Sequence, residues 1–205
     1  KRGTKNVMGL DANFQYGQTP LDEEEIQGLL LPTIATHGEL DEFEQQNIEQ
    51  AVLWTMGRAF KSKVVFSEDF VRMIHKRMFK NVWAWAGEFR KTNKNIGVDY
   101  WQIPVELRSL LEDVKYWYEH HTFSPDEIAI RFKHRIVCIH CFANGNGRHS
   151  RLIADIIVEK IYNEPVFTWG SAKLLKKGEA RLLYLQALKE ADKGDYSLLL
   201  AFARS

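Results

Sequence analysis

The sequence predicts an all-α protein, a helical bundle carrying one small β-hairpin flap. Three observations predict it. Apolar residues recur at three- and four-residue intervals over most of the chain. Several of these runs open on Ser or Thr followed by Pro or an acidic residue, the mark of a capped helix N-terminus. No alternation of strands with helices is visible, and one stretch, Thr92 to Ile103, is Asn/Gly-punctuated without helical period.

Taken in order, residues 1–18 are polar and Gly/Asn-rich and read as an arm. Thr19-Pro20-Leu21-Asp22 is a helix start, with Thr19 as N-cap and Pro20 at the first position; this short acidic helix stops at Gly28. A second helix begins near Leu40, with Phe43, Asn47, Ile48, Ala51, Val52 and Thr55 at helical spacing, and Gly57 is not expected to break it. Ser67 caps a third helix with the stripe Phe70, Val71, Ile74 and Met78. Trp83 to Arg90 is compact and aromatic, and the flap follows. Pro104 opens a helix that buries Leu107, Leu110, Leu111, Val114, Trp117 and Tyr118. Ser124-Pro125-Asp126-Glu127 opens the next, with Glu127 closing a capping box. That helix carries Ile128, Phe132, Ile136 and Ile139 on more than one side and is therefore central. Leu152, Ile153, Ile156, Ile157 and Ile161 mark a second central helix, ended by Asn163 and Pro165. Helices from about Gly178 to Ala191 and from about Asp195 complete the chain.

The 205 residues are 45% apolar and 27% charged, the balance of a soluble globular domain. A formal net charge of +1 draws the chain to neither nucleic acid nor membrane, and direct nucleic-acid binding is not expected. No apolar run approaches a membrane span and no signal peptide is read. The two cysteines, Cys138 and Cys141, lie three apart, which suits free thiols and a reducing cytoplasm.

The chemistry concentrates between the two central helices. Gly145-Asn146-Gly147 stands at a helix entrance, where unbonded N–H groups and the positive end of the helix dipole favour an anion. Arg148 and Arg151, three apart, place two guanidinium groups on one side of that helix, a combination that suits a di- or triphosphate. His140, five residues before Gly145, is a base for a hydroxyl at physiological pH, and Phe142 anchors the loop. The bland alternatives are a helix–helix turn with solvated arginines and a core histidine bonded to a carbonyl. No P-loop or dinucleotide fingerprint is present. His134, Cys138, His140, Cys141 and His149 raise the question of zinc, but no second ligand pair lies elsewhere, so a structural zinc is not expected. His75, His120 and His121 read as surface or interface residues.

The stretch His140-Cys141-Phe142-Ala143-Asn144-Gly145-Asn146-Gly147-Arg148-His149-Ser150-Arg151 resembles the Fic family motif H-P-F-x-x-[D/E]-G-N-G-R-x-x-R. Trp85-Ala86-Gly87-Glu88-Phe89-Arg90 resembles the W-A-G-E-x-R segment before the Fic flap. Tyr184, Ala187, Leu188, Ala191, Gly194, Asp195 and Leu198 resemble the family's C-terminal helix pattern. The likeness spans about residues 40–203, and the chain is also similar to the bacterial subgroup called mobile mystery protein B. It implies a Fic-type bundle over residues 40–205, behind an arm and acidic helix over 1–39.

The resemblance implies a protein adenylyltransferase that moves AMP from ATP to a Ser, Thr or Tyr hydroxyl of a target protein. By position His140 is the base, Arg148 stabilises the transition state, and Asn144, Gly145, Asn146, Gly147, Arg148, Arg151 and Tyr184 bind the nucleotide. The flap residues Asn95, Ile96, Gly97 and Val98 dock the target by strand addition. Cys141 stands where the family has Pro, and a small apolar thiol is expected to be tolerated there. Asn144 stands where the family has the acidic Mg²⁺ ligand; a neutral amide holds a hard cation more weakly than a carboxylate, so Mg²⁺ is expected to rest mainly on the phosphates. That departure supports a second reading, a Fic module of a toxin–antitoxin-like or mobile-element system that binds nucleotide or partner without transfer. A different phosphoryl-type transfer is a third. Many Fic proteins are restrained by a glutamate from [S/T]-x-x-x-E-[G/N] that pairs with the second motif arginine. No clean match occurs; Glu44, in the acidic run Glu39 to Glu49, is the nearest candidate, and that run is expected to be a solvated helix face. A separately encoded inhibitor or antitoxin is the remaining partner the resemblance admits.

Overall fold

The first helix among the described residues shows how local chemistry sets these elements. The computed structural model describes residues 21–31, 33–34, 36–171 and 177–205. In helix α1 (Glu23–Gln27) Asp22 Oδ1 accepts the Glu25 N–H at 2.9 Å, and Glu25 Oε2 accepts the Asp22 N–H at 2.9 Å. This reciprocal box fixes the start at Asp22. The expected cap Thr19 and Pro20, like the arm over 1–18, lie outside the described residues.

Helix α2 (His37–Met56) starts three residues earlier than its apolar pattern suggests, because Thr36 and Glu39 form another capping box. It ends at Gly57, which caps the helix rather than continuing it. Its inward stripe is Leu40, Glu44, Asn47, Ala51 and Thr55, so polar side chains occupy buried positions. A single-turn helix α3 (Ser62–Val65) leads to α4 (Glu68–Phe79), where the Ser67 side chain accepts the Phe70 N–H and Phe70, Val71, Ile74, His75 and Met78 are buried.

The expected hairpin is absent among the described residues. Residues 91–99 form a loop without a ladder, followed by a 3₁₀ turn, Tyr100–Gln102. The loop pairs with no second strand: Val98 N–H donates to Ile139 O at the end of α6 at 3.4 Å, and Arg90, just before the loop, donates to Cys141 O at 3.0 Å. The one β-bridge among the described residues joins Leu29 to Trp83, which ties α1 to the end of α4.

Helix α5 (Ile103–Glu119) carries Pro104 in its first turn and buries Ile103, Leu107, Leu110, Leu111 and Val114. Helix α6 (Pro125–Ile139) is capped by Ser124, whose side chain accepts the Glu127 N–H. The expected capping box does not close, because the Glu127 carboxylate is held at 2.8–2.9 Å by Arg131 one turn on. Helix α7 (Asn146–Ile156) continues into a π-helical turn, Ile157–Ile161. Helices α8 (Lys177–Ala191) and α9 (Ser197–Ala203) pack on each other.

Helix α6 is the hub. It packs against α5, α7 and α9, while α4 packs against α2 and α7. Its buried set (Ile128, Ala129, Ile130, Phe132, Lys133, His134, Ile136 and Ile139) covers several faces, as its all-round apolarity predicts. Consequently the end of α6 and the start of α7 meet inside the bundle rather than at its rim. No helix among the described residues is long and apolar enough to cross a membrane.

Candidate functional site

The site is the joint between α6 and α7. A helix C-terminus leaves carbonyls without intrahelical partners and the negative end of a dipole. Arg90 answers both: its Nε donates to His140 O at 2.6 Å, Nη2 reaches Ile139 O at 3.5 Å and donates to Val98 O, and Nη1 donates to Thr92 O at 2.8 Å. One buried guanidinium thus fastens the last turn of α6 to the neighbouring loop.

His140 ends α6 in the left-handed conformation, φ +58°. Its side chain is buried, 5% exposed, with Nδ1 sealed from solvent. Burial, then the nearby charges of Arg90 and Lys94, push its pKa down to about 4 against a hydrogen bond with the Val137 backbone. At neutral pH the ring is therefore uncharged, the state in which it can take a proton. Loop 91–99 lies against it. A Cβ on Gly97 would stand 2.5 Å from His140 Cβ, and Gly97 has φ +97°, so this approach requires glycine.

The loop between the helices is closed by its own amides. Asn146 Oδ1 accepts the Phe142 N–H at 3.0 Å while Nδ2 donates to Phe142 O at 2.7 Å. Asn144 Oδ1 accepts the Gly145 N–H at 2.6 Å. Gly145, at φ +78°, presses on Phe79, where an added Cβ would lie 2.4 Å from the ring. Gly147 is exposed, with open space where a Cβ would be, so the helix entrance is approached at Gly147. Thus Asn146 spends its side chain on the loop, and the Gly145 N–H has an internal acceptor.

Beneath the loop lies a floor of neutral rings. His75 Nδ1 accepts the Gly87 N–H at 3.0 Å, so Nε2 carries the proton and donates to Asn144 O at 3.0 Å. Its ring stacks on Phe142 at 3.8 Å. Burial holds its pKa well below the usual value, with His149 and Arg148 adding to the effect. His149 Nε2 donates to Val71 O at 2.8 Å, and burial pushes its pKa down to about 4. His75 is therefore a buried residue that fixes the loop, not the surface or interface residue expected; His120 and His121 are exposed. Cys141 is buried, and burial raises its thiol pKa to about 12, so it packs as a small apolar group. Both cysteines are free thiols.

The two arginines part company. Arg148 Nη2 meets Glu44 Oε2 at 2.6 Å, and its guanidinium also lies 5.1 Å over Phe79. The second oxygen of Glu44 accepts Trp83 Nε1 at 2.6 Å. Glu44 is 2% exposed, which corrects the expectation of a solvated acidic face at this position. Arg151 lies 4.5 Å over Tyr184 and 5.5 Å over Trp169. The Tyr184 hydroxyl accepts Lys133 Nζ, a fully buried amine. Asn95, Ile96 and Gly97 form the exposed tip of the loop, while Val98 is half-buried.

Beneath that tip, α1 acts as a strap. Asp22 Oδ2 accepts Thr92 Oγ1 at 2.8 Å and lies 3.4 Å from Lys94 Nζ, which also pairs with Glu25. The site offers Mg²⁺ a poor resident position: Asn144 is neutral and its Oδ1 already accepts an N–H.

Sequence reasoning missed His75, Arg90 and the inward turn of Glu44. Arg90 sits in the quoted W-A-G-E-F-R segment and received no role. Glu44 follows Leu40 by four residues and precedes Ala51 by seven, a buried-stripe position that its charge disguised.

The structure is thus a helical bundle whose central joint carries an uncharged, buried histidine beside a glycine-lined helix entrance. The Fic/DOC family model matches residues 65–158, so this stretch, which holds the joint between α6 and α7, is similar to that family. The protein adenylyltransferase Fic of Aedes aegypti is 27% identical over 148 residues, 68% of this chain and 28% of that protein. Its namesake in Drosophila melanogaster is 30% identical over 120 residues, 57% of this chain and 23% of that protein. The chain thus spans about a quarter of the length of these relatives. In fold it is similar to BepC of Bartonella tribocorum, solved with bound AMPPNP (TM-score 0.62, 15% identity, 83% of this chain and 87% of that one). It is likewise similar to Fic-1 of C. elegans (TM-score 0.59, 21% identity, 87% and 51%).

Proposed function

We propose that this domain, taken as residues 40–205, transfers AMP from ATP to a Ser, Thr or Tyr hydroxyl of a target protein. The observation that carries the proposal is His140: a buried, uncharged imidazole at the end of α6, five residues before the entrance of α7. With Nδ1 sealed, proton traffic runs through Nε2. The target hydroxyl gives its proton to Nε2, its oxygen forms a bond to the α-phosphorus, and the bond from that phosphorus to the bridging oxygen of pyrophosphate breaks. Pyrophosphate leaves and a phosphodiester to AMP remains. Gly147 and the N–H groups of the first turn of α7 receive the phosphates, and Arg151, with Arg148 once Glu44 releases it, balances their charge. The Tyr184 side of α8 borders the nucleotide, and Asn95 to Val98 meet the target. Mg²⁺ belongs to the substrate, as MgATP, and the reaction is placed in the cytoplasm.

A second reading is a domain that binds nucleotide or a partner without transfer. It is favoured by one arrangement: Arg148 is occupied by Glu44, and Asn144 brings no carboxylate. Intact-mass analysis after incubation with ATP and Mg²⁺ separates the two readings. An AMP-sized addition on the wild type or on an added target, absent in His140→Ala, supports transfer. ATP binding without any addition, in the wild type and in Asn144→Asp alike, overturns it in favour of the second reading.

A further inference from the structure

Away from this joint, α6 brings a second group of chemically able side chains together. His134 and Cys138 are one helical turn apart and point along the same face. Asp192, in the turn after α8, closes the group. The three donor atoms lie within 4.8 Å of one another: His134 Nε2 to Asp192 Oδ1 is 2.8 Å, Cys138 Sγ to His134 Nε2 is 3.6 Å, and Cys138 Sγ to Asp192 Oδ1 is 3.8 Å.

We propose that His134 Nε2, Cys138 Sγ and the Asp192 carboxylate form a binding site for one divalent cation of the Zn²⁺ class, which clips the C-terminal helices α8 and α9 to the central helix. The donor set, one imidazole, one thiol and one carboxylate, is the mixture that Zn²⁺ accepts and Mg²⁺ and Ca²⁺ do not. Tetrahedral zinc with bonds of about 2.0–2.3 Å sets its ligand atoms about 3.3–3.6 Å apart. The two sulfur separations are already near that range. The imidazole–carboxylate contact must open by about half an ångström to reach it. Asp192, with a side chain 58% exposed, is free to do so, while His134, at 7%, is the fixed member.

The surroundings suit a ligand. The Tyr196 hydroxyl lies 3.4 Å from His134 Nδ1, a partner that fixes the ring and leaves Nε2 to face Asp192 and Cys138. The neighbouring cations on α6 are engaged elsewhere: Arg135 pairs with Asp113, Arg131 pairs with Glu127 and lies over the Tyr196 ring, and Lys133 donates to Tyr184. One thiolate and one carboxylate then balance a dication, and binding releases one proton, that of the Cys138 thiol, to solvent. Three protein ligands leave a fourth position for water.

The test uses the full chain after treatment with a chelator, and it is independent of transfer activity. Titration with Co²⁺ should give one equivalent bound with a thiolate-to-cobalt charge-transfer band, and excess Zn²⁺ should remove that band. Cys138→Ser should abolish the band, Asp192→Asn should weaken affinity at least tenfold, and Cys141→Ala, which removes the buried thiol, should leave the band in place. Zn²⁺ should also slow alkylation of the exposed Cys138 at least tenfold. Absence of the band in the wild type, or its persistence in Cys138→Ser, overturns the proposal and leaves a hydrogen-bonded His–Asp pair beside a free thiol.

Discussion

The first two turns of α7 face two different environments. On one side, Arg148 meets a carboxylate that is itself buried and bonded to Trp83. On the other, Arg151 rests on the faces of Tyr184 and Trp169. A buried carboxylate neutralises its arginine. A ring face attracts a guanidinium by about 0.5–2 kcal/mol and leaves its charge intact. On the proposed function, the side facing α8 receives the polyphosphate, and the side facing α2 must first give up Glu44. Two identical residues of one motif thus differ through partners that lie outside it.

The largest effect expected follows from that asymmetry. Arg151→Ala should lower ATP affinity by about a hundredfold, roughly 3 kcal/mol, since it removes a charge that Tyr184 hydrogen-bonds and Asp155 only partly offsets. Arg148→Ala in the same background should cost no more than about threefold, because its charge is already spent. Isothermal titration with ATP reads both. Equal losses would show that the two sides do not differ.

Releasing the occupied side is the next test. Glu44→Gln keeps an oxygen for Trp83 and removes the charge that holds Arg148. ATP affinity should rise about tenfold, roughly 1.4 kcal/mol. In that background Arg148→Ala should become costly, so that a double-mutant cycle gives a coupling of about 1–2 kcal/mol. A cycle that closes without coupling would mean that Glu44 and Arg148 form a structural pair with no bearing on the nucleotide.

Both sides rest on the same floor of neutral histidines, and this predicts how stability depends on pH. His140 and His149 have folded-state values of about 4, and His75 lies well below its usual value, against about 6.5 in the unfolded chain. A lowered histidine pKa means that the unfolded state binds more protons between the two values. Stability is then fully present above about pH 6.5 and is lost as pH falls toward 4. Each such group contributes up to about 1.4 kcal/mol per pH unit in that window. His149→Gln, whose amide can still donate to Val71 O, should flatten the slope by up to one proton in denaturant titrations at stepped pH. An unchanged slope would show that His149 takes no part.

How much of this was legible follows from which forces sequence displays. Capped starts at Ser67 and Ser124 and the two-sided apolarity of α6 were readable because the information is local. The motif joint was readable for the same reason, since its residues are contiguous. The flap was misread: Asn/Gly punctuation with extended residues suggests a hairpin, but its partners are the Arg90 side chain, two to eight residues before it, and Ile139 at the end of α6, 41 residues beyond Val98. Glu44 and His75 were misread because charge and polarity argue for the surface, whereas each is buried against specific partners, Arg148 and Trp83 for Glu44 and the Asn144 carbonyl and Gly87 N–H for His75. Asp192 was invisible as a neighbour of His134, since 58 residues separate them. Long-range pairing of polar groups is what the one-dimensional pattern withholds.

The smallest effect sharpens the comparison by leaving both arginines untouched. Lys94, 6% exposed, ties loop 91–99 to Asp22 and Glu25 on α1. Lys94→Met keeps the buried stem and removes the charge. It should loosen the loop without altering α7, because α7 is held by the Asn146–Phe142 bonds and by His149. Amide exchange at Val98, whose N–H reaches Ile139 O, should quicken about fivefold, roughly 1 kcal/mol of local opening. Amides in the middle of α7 should exchange as in the wild type. Faster exchange in α7 as well would make the loop and the helix one cooperative unit, and the strap from α1 would then bear on Arg148 and Arg151 after all.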